Sequence, residues 1–171
     1  MSASPDKSLL WWAIPGALAG MPMPFVHLER RLNSGGALDA YNDELPELYS
    51  RGIGAVVSLL NMPSDKAAWE SAGFAFLRLP IQDGEAPTLG QAIEFVRFTD
   101  EQRAKNRAIA VHCEGGLGRA GTMLATYLIS KSATAQAAIG QLRAAEKSAI
   151  ETLRQIQFLE VYERLTSHWG R

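Results

Sequence analysis

Cys113 and Arg119 close the two ends of the run Cys113-Glu114-Gly115-Gly116-Leu117-Gly118-Arg119, and His112 stands directly before it. A cysteine reacts as its thiolate, and a guanidinium presents a planar fork of donors suited to phosphate oxygens. Three glycines between them allow the backbone to curl so that successive N–H groups point inward as an anion cradle. The preceding Ala108-Ile109-Ala110-Val111 is short, apolar and β-branched in character, so it reads as a buried strand. The stretch from Ala120 to Lys131 has helical spacing, so a helix starting near Arg119 aims its positive dipole end at the same point. The chemistry implied is covalent catalysis on a phosphate ester, with a sulfur nucleophile at the floor of a phosphate-sized bowl. A buried structural cysteine would account for Cys113 alone. It would not account for the histidine, the glycines and the arginine at these spacings.

A phosphate ester also needs its leaving oxygen protonated, and a water deprotonated later. Asp83 lies on a Gly- and Pro-rich turn just after the strand-like Phe76-Leu77-Arg78-Leu79, where a loop could carry it over the bowl. It is the candidate acid and base. Glu85 is its nearest competitor, and capping of Gly84 or of the next helix is the structural alternative. Gln155 could position the hydrolytic water, or could lie on a solvated helix face beside Gln157.

His-Cys, five residues and then Arg resembles the signature of the cysteine-based protein tyrosine phosphatases. The Gly-Gly-Leu-Gly-Arg interior is most similar to the small atypical dual-specificity phosphatases of the kinase-associated type. Residues 12–20 resemble the opening strand of such domains. Leu45 to Leu60 resembles their helix and following Val-Val strand, Leu79 to Pro87 their acid loop, and Ile150-Glu151-Thr152 with Gln155 the opening of their last helix. The resemblance covers about residues 10–165. It implies a phosphocysteine mechanism with Cys113 as nucleophile, Arg119 on the phosphate and Asp83 as general acid and base. Glu114, Gly115, Gly116, Leu117 and Gly118 would bind substrate with Arg119. His112 would orient the loop and tune the thiolate.

In one place the chain departs from that pattern. The family usually carries Ser or Thr directly after the arginine, with its hydroxyl on the cysteine sulfur, and here the residue is Ala120. Thr122, two places on, is a lesser supporting candidate. The expectation is a competent first step and slow breakdown of the phosphoenzyme. Glu114 in the loop argues against a highly phosphorylated lipid head group, so phosphotyrosine, with phosphoserine and phosphothreonine beside it, is the expected substrate. A lipid or small phosphoester, and a weakly catalytic phosphotyrosine-binding module favoured only by Ala120, are the alternatives.

The 171 residues suit one domain with a real core, and 47% hydrophobic with 20% charged residues is ordinary for a globular chain. A formal net charge of −1 implies no general affinity for nucleic acid or anionic membranes. One cysteine permits no internal disulfide and no Cys cluster for a metal. No cofactor or metal is expected, the partner is a phosphorylated protein or peptide, and the chain is expected to act as a cytoplasmic monomer. Leu9 to Ala19 is apolar after Lys7 and ends like a signal-peptidase site, but Pro15 and Gly16 interrupt it, so it reads as part of the domain.

Around the motif, strands and helices alternate. Strands are expected near 10–14, 17–20, 53–60, 74–79 and 108–112, and helices near 40–51, 64–72, 88–105, 119–131, 133–146 and 151–167. Arg30 and Arg31, in a long loop, could flank the bowl. Ile93, Phe95 and Val96 are expected to face inward from their helix. Leu153, Ile156, Leu159 and Tyr162 are expected to form the core stripe of the last one. The pattern implies a single α/β domain with a central twisted, mostly parallel sheet of four to five strands flanked by helices. The nucleophile would sit at the carboxyl end of a strand.

Overall fold

The structure, a computed structural model, describes residues 9–24, 38–63 and 66–168. Arg30 and Arg31 lie outside the described residues. Five strands form one sheet: β1 (Trp11–Ile14), β2 (Leu18–Met21), β3 (Ile53–Ser58), β4 (Ala75–Arg78) and β5 (Ala108–His112). Among the described residues six helices accompany them: α1 (Leu38–Ser50), α2 (Lys66–Ser71), α3 (Leu89–Ala104), α4 (Gly118–Ser130), α5 (Ala135–Ala145) and α6 (Leu153–Thr166). The strand order is β1-β2-β5-β3-β4. Only the edge pair β1–β2 is antiparallel. It closes through Pro15-Gly16, where Gly16 takes a positive φ of 69° that a turn this tight requires. No helix among the described residues is long and apolar enough to cross a membrane.

The central strands are buried on both faces, which is why they read as continuous apolar runs rather than as alternating ones. Alternation shows instead in which core each residue joins. Ile109 and Val111 of β5 join Ala55 and Val57 of β3 under the larger helical layer. Ala108 and Ala110 face the other way, with Leu48, Val56, Trp69 and Phe74. Gly118 to Ile129 of α4 are all buried, so this helix is the centre of the larger layer, wrapped by α3, α5 and α6. Tyr127 joins α4 to α3. Its hydroxyl donates to Asp100 at 2.8 Å, and Arg103 donates to it at 2.9 Å. Burial, and then the bond to Asp100, push the Tyr127 phenol above its ordinary value.

Two expected core positions are exposed instead. Ile93 is 46% exposed, whereas Phe95 is fully buried. Two residues apart on a helix means about 200° of rotation, so the two cannot share a face. Leu153 is 67% exposed for the same reason: the inward ridge of α6 is Gln155, Leu159 and Tyr162, spaced i, i+4, i+7. Gln155 therefore occupies the position that the apolar pattern assigns to Leu153.

The register brings the strand ends level. His112 pairs with Met21 on one side and Ser58 on the other. Beyond the strands the ladder continues. Leu59 N–H donates to the His112 carbonyl at 2.9 Å, Leu79 N–H to Ser58 at 2.9 Å, and Ile81 N–H to Leu59 at 3.1 Å. The segment after β4 is thus stitched alongside the end of β3, itself bonded to the end of β5, which delivers the turn at Asp83 to the carboxyl edge of the sheet.

Candidate active site

Cys113 is the first residue past β5 and is 3% exposed. The loop after it is held by its carbonyls. The Glu114 carbonyl accepts from Met23 N–H at 2.8 Å, and the Gly116 carbonyl accepts from the Trp11 indole N–H at 2.9 Å. The Leu117 carbonyl accepts from Gly121 N–H at 3.0 Å and from Ile150 N–H at 3.2 Å. In a planar trans peptide the carbonyl and the next N–H point in opposite directions. Tying these carbonyls outward therefore turns the N–H groups of Gly115, Leu117 and Gly118 inward. Among the described residues, none of the N–H groups from Glu114 to Arg119 donates to a protein acceptor. The result is a nest of donors at the first turn of α4, a ready site for an oxyanion.

Gly116 lets the loop close. Its φ is +75°, and a Cβ there would sit 2.6 Å from the Pro22 nitrogen and collide with the Met21 backbone. Backbone cannot give way as a side-chain end can. Gly116→Ala is expected to destabilise the domain by about 2 kcal/mol or more, a fall of roughly 4–8 °C in the melting midpoint. An unchanged midpoint in a thermal melt would show that the loop has another conformation to relax into.

Arg119 is 4% exposed and emerges from the first turn of α4. Nη1 donates to the Ile81 carbonyl at 3.0 Å. Nη2 lies 3.3 Å from Asp83 Oδ1 and 3.9 Å from Glu114 Oε2. Nε is buried and has no hydrogen-bond partner, a costly state for a guanidinium N–H unless an anion is to be bound there. Asp83 itself is 76% exposed. Arg119 and Asp83 are thus brought together, at the far end of the loop that Cys113 opens.

The other sequence candidates fall as follows. His112 is buried at the end of β5, 1% exposed. Thr122 donates its hydroxyl to the Gly118 carbonyl at 2.7 Å, so it is committed to the helix and not to the sulfur. Ala120 is fully buried in the same apolar cluster as Cys113. Gln155 is not on a solvated face. It is fully buried at the third position of α6, where its Oε1 accepts from the N–H groups of Glu151 at 2.9 Å and Thr152 at 3.1 Å. Its Nε2 donates to the Glu85 carbonyl at 3.4 Å. Glu85 pairs through its side chain with Arg154. The Thr152 hydroxyl donates to the Gly84 carbonyl at 2.8 Å. The loop that carries Asp83 is therefore docked onto the N-terminus of α6 by three side chains.

A family described as a polymorphic toxin system, DSP-PTPase phosphatase, matches residues 32–133, more than half of the chain. The chain belongs to the DSP-PTPase phosphatases. Among curated relatives, the tyrosine-protein phosphatase cdc-14 of Caenorhabditis elegans is 29% identical over 153 residues, covering 87% of this chain and 20% of the relative. The dual specificity protein phosphatase CDC14C of Homo sapiens is 34% identical over 123 residues, covering 69% of this chain and 25% of the relative. The chain thus spans a quarter or less of the length of these two relatives. Among solved structures, Tk-PTP in its active form superposes with a TM-score of 0.74 at 26% identity, covering 92% of this chain and 98% of that one. The single α/β domain with its mostly parallel sheet is the fold of this phosphatase family.

Trp11, the Met23 amide and Arg154 support these loops and were not singled out from the sequence, whereas Ile150 and Thr152 were named only as the opening of the last helix. The pattern Thr152-x-x-Gln155 is a capping box, with both reciprocal bonds formed, and was readable as the start of a helix. The long-range bonds of Trp11, 105 residues from Gly116, carry no local signal.

Proposed function

We propose that this chain is a phosphatase that hydrolyses phosphotyrosine monoesters of proteins, and phosphoserine or phosphothreonine esters by the same chemistry, through a phosphocysteine. Cys113 sulfur attacks phosphorus, and the bond to the leaving oxygen breaks. Arg119 and the inward N–H groups hold the non-bridging oxygens as charge builds on them. Asp83 gives its proton to the leaving phenolate. Water then attacks the phosphocysteine while Asp83 takes its proton back, and orthophosphate and the thiolate are released. The observation that carries this reading is the 3.3 Å approach of the exposed Asp83 carboxylate to the buried guanidinium of Arg119, which closes the loop opened by Cys113.

Glu114, 56% exposed at the rim, favours a substrate with one phosphate over a polyphosphorylated head group. Phosphate release from a phosphotyrosine peptide and from a phosphoinositide is the test. The peptide is expected to be the faster substrate, and faster release from the lipid would overturn the assignment to proteins.

Ala120 supports slow hydrolysis of the phosphoenzyme. With the hydroxyl of Thr122 engaged elsewhere, neither side chain assists the sulfur as it leaves. A pre-steady-state burst is expected, followed by slow release. Ala120→Ser is expected to raise the steady-state rate about threefold to tenfold, the worth of one hydrogen bond in the transition state. Burst and turnover that are both unchanged would refute this explanation.

A further inference from the structure

Between α5 and α6 the chain makes a turn that touches both halves of the site. Ile150 sits in it with φ at 65°, a left-handed conformation that β-branched residues seldom adopt. Such strain persists only where surrounding contacts overdetermine it. Here they do. Arg143, reaching from α5 along the surface, donates Nε to the Ala149 carbonyl at 3.1 Å and Nη2 to the Ile150 carbonyl at 2.9 Å. Gly121 on α4 leaves room for the turn, since a Cβ there would lie 3.0 Å from the Ile150 nitrogen. The strained residue spends its N–H on the Leu117 carbonyl of the Cys113 loop. Immediately after it, Thr152 holds Gly84, Gln155 holds the Glu85 carbonyl, and Arg154 pairs with Glu85.

We propose that Arg143 is a positioning residue for the general acid: by forcing the 149–152 turn into its strained form, it sets the acid loop against the phosphate bowl. The assignment rests on the phosphatase reading above. Loss of Arg143 lets Ile150 relax, and the start of α6 shifts with the loop docked on it. The bowl keeps its Trp11, Met23 and Leu59 ties. Protonation of the leaving group should therefore suffer more than attack by sulfur.

The test compares two esters. Phosphotyrosine leaves as a phenol of pKa about 10 and needs the acid, whereas a dinitrophenyl phosphate leaves without a proton. Arg143→Ala is expected to lower kcat/KM about tenfold or more on a phosphotyrosine peptide and less than about threefold on dinitrophenyl phosphate. Arg154→Ala, at a side chain 71% exposed whose loss leaves the fold intact, is expected to give the same split at smaller size. In an Asp83→Asn background, Arg143→Ala should cost little further on phosphotyrosine, because both changes remove one function. Equal losses on both esters for both variants, or fully additive losses with Asp83→Asn, would overturn the positioning role alone. A wild-type chain inactive on both esters would overturn the phosphatase reading and this role with it.

Discussion

Replacing Cys113 with serine is expected to lower steady-state phosphate release from a phosphotyrosine peptide by at least about four orders of magnitude. Serine fits the space, because Cys113 is 3% exposed and differs by a single atom type. The bowl should survive intact, since its shape comes from carbonyls held by Leu59, Met23, the Trp11 indole, Gly121 and Ile150, in bonds that do not involve the sulfur. What is lost is the sulfur nucleophile. A serine hydroxyl would need a base, and Asp83 is already paired with Arg119. With one cysteine in the chain, no second thiol can substitute. Peptide binding is expected to stay within about threefold of the parent, since the donors are unchanged. Calorimetric titration of the variant with the phosphopeptide measures this. A variant that keeps more than about 1% of the parent turnover would show that the sulfur is not the nucleophile.

Arg119→Lys keeps the charge and loses the fork. Three features of Arg119 depend on the planar guanidinium: the bond from Nη1 to the Ile81 carbonyl, the approach of Nη2 to Asp83, and the unpaired buried Nε. A lysine ammonium is one compact donor group and cannot serve all three directions. We expect kcat/KM on phosphotyrosine to fall about a hundredfold or more, with losses in both binding and turnover. The same change frees the Ile81 carbonyl and loosens the acid loop, so the loss should be larger on phosphotyrosine than on dinitrophenyl phosphate. A fall of less than about threefold would mean that charge alone suffices, and that the fork geometry has no role in holding phosphate.

Local pattern accounts for much of what was legible. The apolar run Ala108–Val111, the glycines and Arg119 identify a strand, a loop and a helix without any knowledge of distant residues, and β5 and α4 lie there. The doubly buried strands follow from runs such as Ile53–Ser58. What was not legible depends on contacts across the chain. No local pattern pairs Trp11 with Gly116 or Gln141 with Ala13. Ile150 carries no signal for a left-handed backbone, because its residue type argues against one. Thr122 looked available until the helix placed its hydroxyl on the carbonyl four residues back. Ile93 and Leu153 were assigned to the core by hydrophobicity, and rotation about the helix axis overrules both. Gln155 shows the converse, a polar residue buried because its amide satisfies two backbone donors and reaches a third group.

The central claim is the phosphocysteine. The chain should be mixed with excess phosphotyrosine peptide, quenched in acid within the burst, and digested for mass spectrometry. The account predicts phosphate on the sulfur of Cys113, more of it than in Ala120→Ser because the phosphoenzyme accumulates when its breakdown is slow. Turnover without a phosphorylated Cys113, or phosphate recovered on any other side chain, would contradict it.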